Sequence, residues 1–321
     1  MKTKTDGDEL NLVSLAKKYS NESRARKLFE QLRWPGGKPI CPHCKNDGNA
    51  KTISKLTAKA GSRCSVRKGV YFCGACRKPF TATVGTVFED SHIPLSKILM
   101  ASFIICSSKK SISALQLSRM LKTTYRTSWF LAHRIRHAIA TDLKTAKPLA
   151  NTVEADETFF PDRNAKKSFA VNRSVTLAVI IERNGQSRTR VIPTVTAKNV
   201  GKFLNECVRK DAIVNTDEHT AYKQPLKAYR RHDTVNHSQY EYARHNPDGT
   251  VSHVNTCESW NSLIKRAVFG SWHCISPEHL PKYASEFEYR WNTRKQTDGE
   301  RMANFLPMID GKRLMYRQPA N

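Results

Sequence analysis

The sequence predicts an α/β domain with a mixed sheet and flanking helices, preceded by two smaller modules. From about residue 153 onward, the apolar pattern gives the order strand, strand, strand, helix, strand. Before it lie a compact segment with paired cysteines and a segment with helical periodicity. The predicted boundaries are a helical lead-in at 1–37, a cysteine module at 38–90, a helical module at 91–148, the α/β domain at 149–300 and a carboxyl-terminal tail at 301–321.

Short sequence signals mark each element of the α/β domain. The segment TVEADETFF predicts the first strand, and SVTLAVIIE predicts the second after a polar, basic stretch at 161–173. The dipeptide at 184–185, Asn-Gly, is typical of a tight hairpin turn, so RTRVIPTVT is expected to return as the third strand. Apolar side chains at helical spacing predict a helix at 197–209, and the run AIVNTD predicts a fourth strand at 212–217.

Positive charge dominates the composition. The 321 residues include 54 Lys and Arg against 28 Asp and Glu, a formal net charge of +26. Such an excess favours a polyanionic partner, because each phosphate that a cationic side chain neutralises releases a condensed counterion. Nucleic acid is the first candidate and an anionic membrane surface the second. The longest apolar run, 98–106, is far shorter than the roughly 20 residues that span a bilayer, so we expect no membrane partner.

Two C-x-x-C pairs stand out among the nine cysteines. The amino-terminal segment MKTKTDGDELNL has no hydrophobic stretch of the secretory kind, so a reducing, cytoplasmic compartment is expected. There, cysteines favour metal binding over disulfides. The pairs Cys41–Cys44 and Cys73–Cys76 can present four thiolates to one structural Zn²⁺, which predicts a zinc ribbon. The alternative is that Cys64 replaces a ligand of the first pair; unpaired Cys64 and His43 are weaker candidates.

The helical module contains two helices joined by a short break. The segment 111–121 is amphipathic, and the second helix, 125–139, is basic. This arrangement is typical of a helix-turn-helix that docks in the major groove, with Arg126, Arg134 and Arg136 as candidate DNA contacts. The alternative is a small helical bundle with a solvated basic face.

Three carboxylates are the candidate catalytic residues. Asp156 is expected to end the first strand of the sheet and Asp217 the fourth, and these ends are neighbours if the two strands are adjacent. A third carboxylate, Glu258, comes from a later helix, where Asn255 or Thr256 can cap the amino terminus. Hard carboxylate oxygens suit two Mg²⁺ or Mn²⁺ ions, which can serve both ends of a phosphodiester displacement.

Several neighbouring residues receive a structural or a phosphate-binding interpretation. Glu154 and Glu157 flank Asp156 and are expected on the opposite face, as structural or solvated groups, with a contact to a metal ligand open for Glu157. Lys265 lies two helical turns beyond Glu258 and can hold a DNA phosphate. The further candidate phosphate contacts are Arg266, Arg290 and Arg294, while Tyr283, Phe287 and Trp291 are expected in the core.

Four segments resemble a known family: VEADETFF, NTDEHTAY, HVNTCESWNSLIKRAVFGSWH and YASEFEYRWNTR. They look like the DDE-type insertion-sequence transposases whose amino terminus carries a zinc ribbon, the ISXO-like group, and the paired-cysteine segment is similar to that ribbon. The resemblance covers residues 20–295. It matches Asp156 and Asp217 to the first two acidic positions of the family. The third position varies between Glu and Asn; Glu258 is the favoured match, with Asn255 and Asn261 as alternatives.

The resemblance implies a ribonuclease-H-like catalytic fold and metal-dependent cutting and joining of double-stranded DNA. The expected substrates are the terminal inverted repeats of an insertion sequence and a target DNA. Pairing two ends implies a homodimer or a higher synaptic oligomer, at work in the cytoplasm on the bacterial nucleoid. Two alternatives stay open: a non-catalytic, transposase-derived DNA-binding regulator, and a structure-specific nuclease or resolvase on the same fold.

Overall fold

The computed structural model describes residues 10–49, 51–57, 66–161, 174–236 and 239–316. The chain divides into two compact units, one formed by 1–108, 112–139 and 296–321, the other by 109–111 and 140–295. In the described ranges, no helix is both long enough and apolar enough to cross a membrane.

The first unit combines the cysteine module with helices from three parts of the chain. The predicted helical lead-in consists of two helices, and each begins at an asparagine whose side chain accepts a backbone N–H. The carboxyl-terminal segment, predicted as a tail, contains a helix with a capping box that packs on the helix Leu95–Ser107 within this unit. The bounds are α1 Leu12–Tyr19, α2 Glu22–Arg33, β1 Ile53–Lys55, β2 Tyr71–Cys73, β3 Pro79–Phe80, α3 Leu95–Ser107, α4 Ala114–Leu121, α5 Tyr125–Ile139 and α9 Asp298–Phe305.

Helices α4 and α5 form the two-helix arrangement that the sequence predicts. Lys122 ends α4 in the left-handed conformation, with φ 49°, which turns the chain sharply into α5. The prediction of a basic surface on α5 is wrong for Arg134 and Arg136, because both are buried. Arg134 and Arg136 are only 8% and 2% exposed, and the Arg134 guanidinium lies over the Phe130 ring. Arg126 is exposed, with its Nε donating to the Tyr316 hydroxyl.

The second unit is built on a five-stranded mixed sheet. Its strands are β4 Thr152–Pro161, β5 Ser174–Glu182, β6 Ser187–Ile192, β7 Ile213–Thr216 and β8 Arg231–Thr234. The spatial order is β6–β5–β4–β7–β8, with β6, β5 and β4 antiparallel and β4, β7 and β8 parallel. The predicted adjacency of the first and fourth strands is therefore confirmed.

Helices cover both faces of this sheet. On one face α6, Ala197–Cys207, packs in a core with Val153 and Ala155 of β4. On the other, α7, Asn255–Ala267, and α8, Leu280–Asn292, pack in a second core with Leu177 and Val179 of β5. This is the ribonuclease-H-like architecture that the resemblance implies.

A few connections complete the second unit. The hairpin turn lies where the Asn-Gly signal predicts it, with Asn184 in the left-handed region at φ 58°. Strands β9, Arg244–His245, and β10, Val251–Ser252, form a small hairpin ahead of α7. Of the predicted polar stretch at 161–173, only residue 161 lies within the described residues.

One buried carboxylate of α8 gives the fold a testable pH dependence. Glu288 is 3% exposed and accepts the backbone N–H and the hydroxyl of Thr189 on β6, at 2.9 and 2.8 Å. Burial raises the pKa of Glu288, so the folded chain keeps a proton that the unfolded chain loses above about pH 4.3. The contribution of this group to the free energy of unfolding therefore falls as the pH rises.

We expect Glu288→Gln to remove this contribution, because an amide accepts the same two bonds without ionising. Urea unfolding at several pH values checks the expectation. The free energy of unfolding of the wild type, relative to the variant, should fall as the pH rises from about 4 to 8. Parallel pH profiles for the two proteins would contradict it.

Candidate metal centres

The four paired cysteines meet as the sequence predicts. Their sulfurs lie within 4.8 Å of one another. Across the site, the Sγ atoms of Cys41 and Cys76 are 3.6 Å apart, and those of Cys44 and Cys73 are 3.7 Å apart. Thiolates that bind one zinc tetrahedrally at about 2.3 Å lie roughly 3.8 Å apart, so these residues fit a closed structural zinc site.

Local hydrogen bonds favour the thiolate form of Cys73. The backbone N–H of Cys76 and the side-chain amide of Asn46 lower the pKa of Cys73 to about 6, whereas burial raises the pKa of Cys76 to about 12. The alternative ligand Cys64 lies outside the described residues, and His43 is exposed outside the cluster. The remaining described cysteines are single thiols, buried at Cys106, Cys207 and Cys257 and exposed at Cys274.

A second cluster lies where β7 ends beside β4. Carboxylate oxygens of Asp156, Glu157 and Asp217 come within 4.8 Å of one another. Asp217 directly follows β7, as predicted, but Asp156 does not end its strand; it lies in the middle of β4. The pairing of β4 with β7 stops at Glu154, so Asp156 lies just past the end of that ladder.

Burial and like charge give this cluster unusual protonation. Burial, together with the smaller effects of the Asp217 and Glu258 charges, raises the pKa of Asp156 to about 6. Burial also raises the pKa of Glu157 to about 8, against the hydrogen bond from Tyr222. Three carboxylates at such short range repel one another, and a divalent cation with oxygen ligands relieves that repulsion. The donor set fits Mg²⁺ or Mn²⁺ and differs from the thiolates of the ribbon.

Helix α7 adds two groups on the side of Asp156. Glu258 is exposed in its first turn; its carboxylate is outside the 4.8 Å cluster, but its charge acts on Asp156. One turn later Asn261 is 5% exposed, and its Nδ2 donates to Asp156 Oδ2 at 2.8 Å. The i, i+3 spacing from Glu258 was the sequence signal for this contact. Lys265, two turns after Glu258, is exposed.

Glu154 holds α7 against the sheet. Two residues from Asp156, it lies on the same face of β4 rather than the opposite one, because side chains alternate with period two. Its carboxylate is fully buried and accepts the backbone N–H groups of Thr256 and Cys257, at 2.8 and 3.3 Å. The predicted cap from Asn255 or Thr256 is therefore wrong, since α7 has no cap from its own side chains.

An arginine completes this anchor. Arg183, on the hairpin after β5, donates its Nε to Glu154 at 2.7 Å. Its other guanidinium nitrogens donate to the carbonyls of Val251 and His253, at 2.5 and 3.1 Å. Glu154 and Arg183 thus fix both the amino terminus of α7 and the chain that enters it.

Comparison with known families identifies two domains of the chain. Residues 148–292 match the ISXO2-like transposase domain, and residues 20–79 match the transposase zinc-ribbon domain. The first match, hereafter the transposase domain, contains the acidic cluster and α7, and the second contains all four paired cysteines.

A relative aligns over nearly the whole length of this chain. A protein of Halobacterium salinarum, described as an uncharacterized protein in transposable element ISH50, is 27% identical over 313 residues. The alignment covers 90% of this chain and 97% of that protein. A chain of the cryo-EM structure of the simian T-cell lymphotropic virus intasome in complex with PP2A regulatory subunit B56 gamma aligns at 12% identity with a TM-score of 0.30. That alignment covers 60% of this chain and 65% of the intasome chain.

The candidate phosphate-binding residues on α7, on α8 and just after α8 differ in exposure. Lys265 and Arg266 are exposed in the last turn of α7. The prediction that Arg290 contacts DNA is contradicted, because Arg290 is only 8% exposed and pairs with Glu286 of its own helix. Arg294 is partly buried; its guanidinium donates to the Gly185 and Trp291 carbonyls and lies over the Trp291 ring. The expected core positions Tyr283 and Phe287 are buried, and Trp291 packs partly buried against the same core.

We expect Glu154→Ala to destabilise the protein by about 3–5 kcal/mol, because it leaves Arg183 and two helix N–H groups without their buried partner. Urea unfolding followed by tryptophan fluorescence measures the change. The matched control is Glu206→Ala, which removes a carboxylate paired with Arg190 at the surface. It should cost about 1 kcal/mol or less. Equal losses in the two variants would contradict the anchoring role.

Proposed function

We propose that this protein binds the terminal inverted repeats of an insertion sequence and catalyses metal-dependent cleavage and strand transfer of DNA. The main support for the proposal is the cluster at the β4–β7 junction, where carboxylate oxygens of Asp156 and Asp217 lie within 4.8 Å of each other. Its position inside the transposase domain and the net charge of +26 support a DNA substrate.

Asp156, Asp217 and Glu258 are the proposed ligands of the catalytic metal. Two divalent ions, when bound, activate the attacking oxygen and stabilise the leaving 3′ oxygen of an in-line displacement. The chain orients the ligands in advance. Asp156 accepts the backbone N–H of Glu157 at 2.8 Å as well as the Asn261 amide, and Asp217 accepts the backbone N–H of His219 at 3.1 Å.

The same carboxylates can serve two successive displacements. In the first, water adds to a phosphorus atom of the element end, and the bond to the 3′ oxygen breaks. In the second, the freed 3′ hydroxyl forms a bond to a phosphorus atom of the target, and that phosphorus loses its own 3′ oxygen. Neither displacement needs a nucleophile from the protein, which agrees with an oxygen-ligand cluster of carboxylates and one amide.

The proposed DNA contacts lie on α7 and α5. Lys265 and Arg266, exposed at the carboxyl-terminal end of α7, are about 10 Å along the helix from Glu258, so they can hold phosphates flanking the reacting one. Arg126, exposed at the start of α5, stays a candidate for recognition of the repeats. Bringing two element ends together requires two copies of the site, so we infer a homodimer or higher oligomer that acts on chromosomal DNA in the cytoplasm.

We expect Asp156→Asn to lower the rate of Mg²⁺-dependent cleavage by about 10³-fold or more, the several kcal/mol that metal-ion stabilisation supplies. The substrate is a labelled duplex carrying the element end, and gels separate cut from joined products. Glu258→Gln tests the third ligand in the same assay. Asp211→Asn, at an exposed carboxylate paired with Arg209, is the matched control and should cleave like the wild type.

The outcomes separate the three candidate functions. Cut and joined products from the wild type and from the control alone support the transposase. Tight binding without cleavage by the wild type points to the regulator, and cleavage without joining points to the nuclease. An Asp156→Asn variant that still cleaves at the wild-type rate contradicts the assignment of the site.

Salt dependence tests the DNA contact on α7. We expect Lys265→Ala to weaken DNA binding and to reduce the slope of log Kobs against log salt by about one, since one phosphate contact is lost. Lys198→Ala is the matched control, because Lys198 is exposed on α6, on the opposite face of the sheet. Fluorescence anisotropy between about 50 and 200 mM salt measures both slopes. Equal slopes for the two variants would remove Lys265 from the interface.

A further inference from the structure

Glu157 occupies a position that the proposed three-carboxylate site does not use. It follows Asp156 on β4, so alternation directs it toward the opposite face of the strand, the side of α6. Even so, its carboxylate reaches within 4.8 Å of both Asp156 and Asp217. Asp217 directly follows the last residue of β7, and the pairing of β4 with β7 stops at Glu154. The backbone of β7 therefore does not lie between Glu157 and Asp217.

The surroundings of Glu157 leave one carboxylate oxygen available. The buried hydroxyl of Tyr222 hydrogen-bonds to this carboxylate. The Oε1 atom, however, is buried and has no hydrogen-bond partner within the described ranges. A buried carboxylate oxygen held this way needs a compensating cation or hydrogen-bond donor.

Asn261 provides an independent observation on the other side of the cluster. Its side chain is 5% exposed, its Nδ2 is fixed to Asp156, and its Oδ1 has no partner among the residues the structure describes. An unsatisfied buried acceptor destabilises the fold, so its retention beside three carboxylates points to a ligand that supplies positive charge. Amide oxygens are ordinary ligands of hard divalent cations.

We propose that Glu157 is a third carboxylate ligand of the divalent ion held between Asp156 and Asp217, and that the Asn261 amide oxygen is its neutral ligand. This deepens the proposed function and rests on it. Oxygens on opposite sides of one hard cation lie about 4–5 Å apart, given bonds of about 2.1–2.5 Å, and the observed spread of 4.8 Å fits that span. Glu258, outside this cluster, then serves the second ion together with Asp156.

Direct metal binding tests the role of Glu157 without a cleavage assay. The probe is Mn²⁺ alone, titrated calorimetrically into the zinc-loaded full-length protein without DNA. We expect Glu157→Gln to lower the Mn²⁺ affinity at least tenfold, and Asp156→Asn to do so as well. Circular dichroism and the thermal midpoint of each zinc-loaded variant, measured before Mn²⁺ is added, verify that it is folded.

A matched control separates ligation from overall charge. Glu278→Gln neutralises an exposed carboxylate elsewhere in the same unit. It should bind Mn²⁺ within about twofold of the wild type. Wild-type Mn²⁺ affinity in Glu157→Gln would overturn the proposal. So would a tenfold loss in Glu278→Gln, since the effect would then be one of overall charge.

Asn261 requires its own pair of variants. If its oxygen is a ligand, Asn261→Asp keeps an oxygen in place and retains Mn²⁺ affinity, whereas Asn261→Ala weakens it severalfold. If the residue acts only by donating to Asp156, both variants lose the donor and weaken binding alike, which would overturn this half of the proposal.

Failure of this inference differs from failure of the proposed function. A wild type that binds Mn²⁺ and cleaves DNA, with Glu157→Gln binding equally well, removes Glu157 alone from the site. A wild type whose Mn²⁺ affinity does not depend on Asp156, and which cleaves no DNA, contradicts the proposed function itself.

Discussion

The geometry of the acidic site depends on the hydrogen bonds and the ion pair of the buried Glu154 carboxylate. This carboxylate accepts two N–H groups at the amino terminus of α7 and pairs with Arg183, which in turn binds the carbonyls of the chain entering the helix. Because Asp156 lies two residues further along the same face of β4, this anchor also fixes the distance from Asp156 to Glu258 and Asn261. A strand and a helix about 100 residues apart in the chain are thereby held as one site.

The acidic cluster lies at the end of the β4–β7 ladder, where the carboxylates can be close together without interrupting the apolar cores of the sheet. Inside the ladder, the backbone is paired and side chains pack in the two cores. Just beyond it, Asp156 and Asp217 are close enough to share a cation, while the residues directly before them, Ala155 and Thr216, stay buried. Burial raises the pKa of both Asp156 and Glu157, so the fold disfavours the charged forms of the carboxyl groups that it holds together.

The zinc ribbon and the acidic cluster offer different ligand atoms to a metal ion. Four sulfurs lie within 4.8 Å of one another in the first, a set that fits one closed structural zinc site. The second offers carboxylate oxygens, and Glu258 on α7 is exposed to solvent. Thiolates suit zinc and carboxylates suit Mg²⁺ or Mn²⁺, so the two clusters suit different ions.

The sequence by itself determined the paired cysteines, the order of strands and helices, and the identity of the first two acidic residues, because spacing and periodicity are local properties of the chain. Strand alternation already places Glu154 on the same face of β4 as Asp156, so the expectation that it lies on the opposite face was wrong on sequence grounds alone. Tertiary structure decided the rest. Arg134 and Arg290 became packing residues, and Glu157 and Asn261 joined the cluster, because the direction and burial of a side chain depend on elements that are distant in the chain.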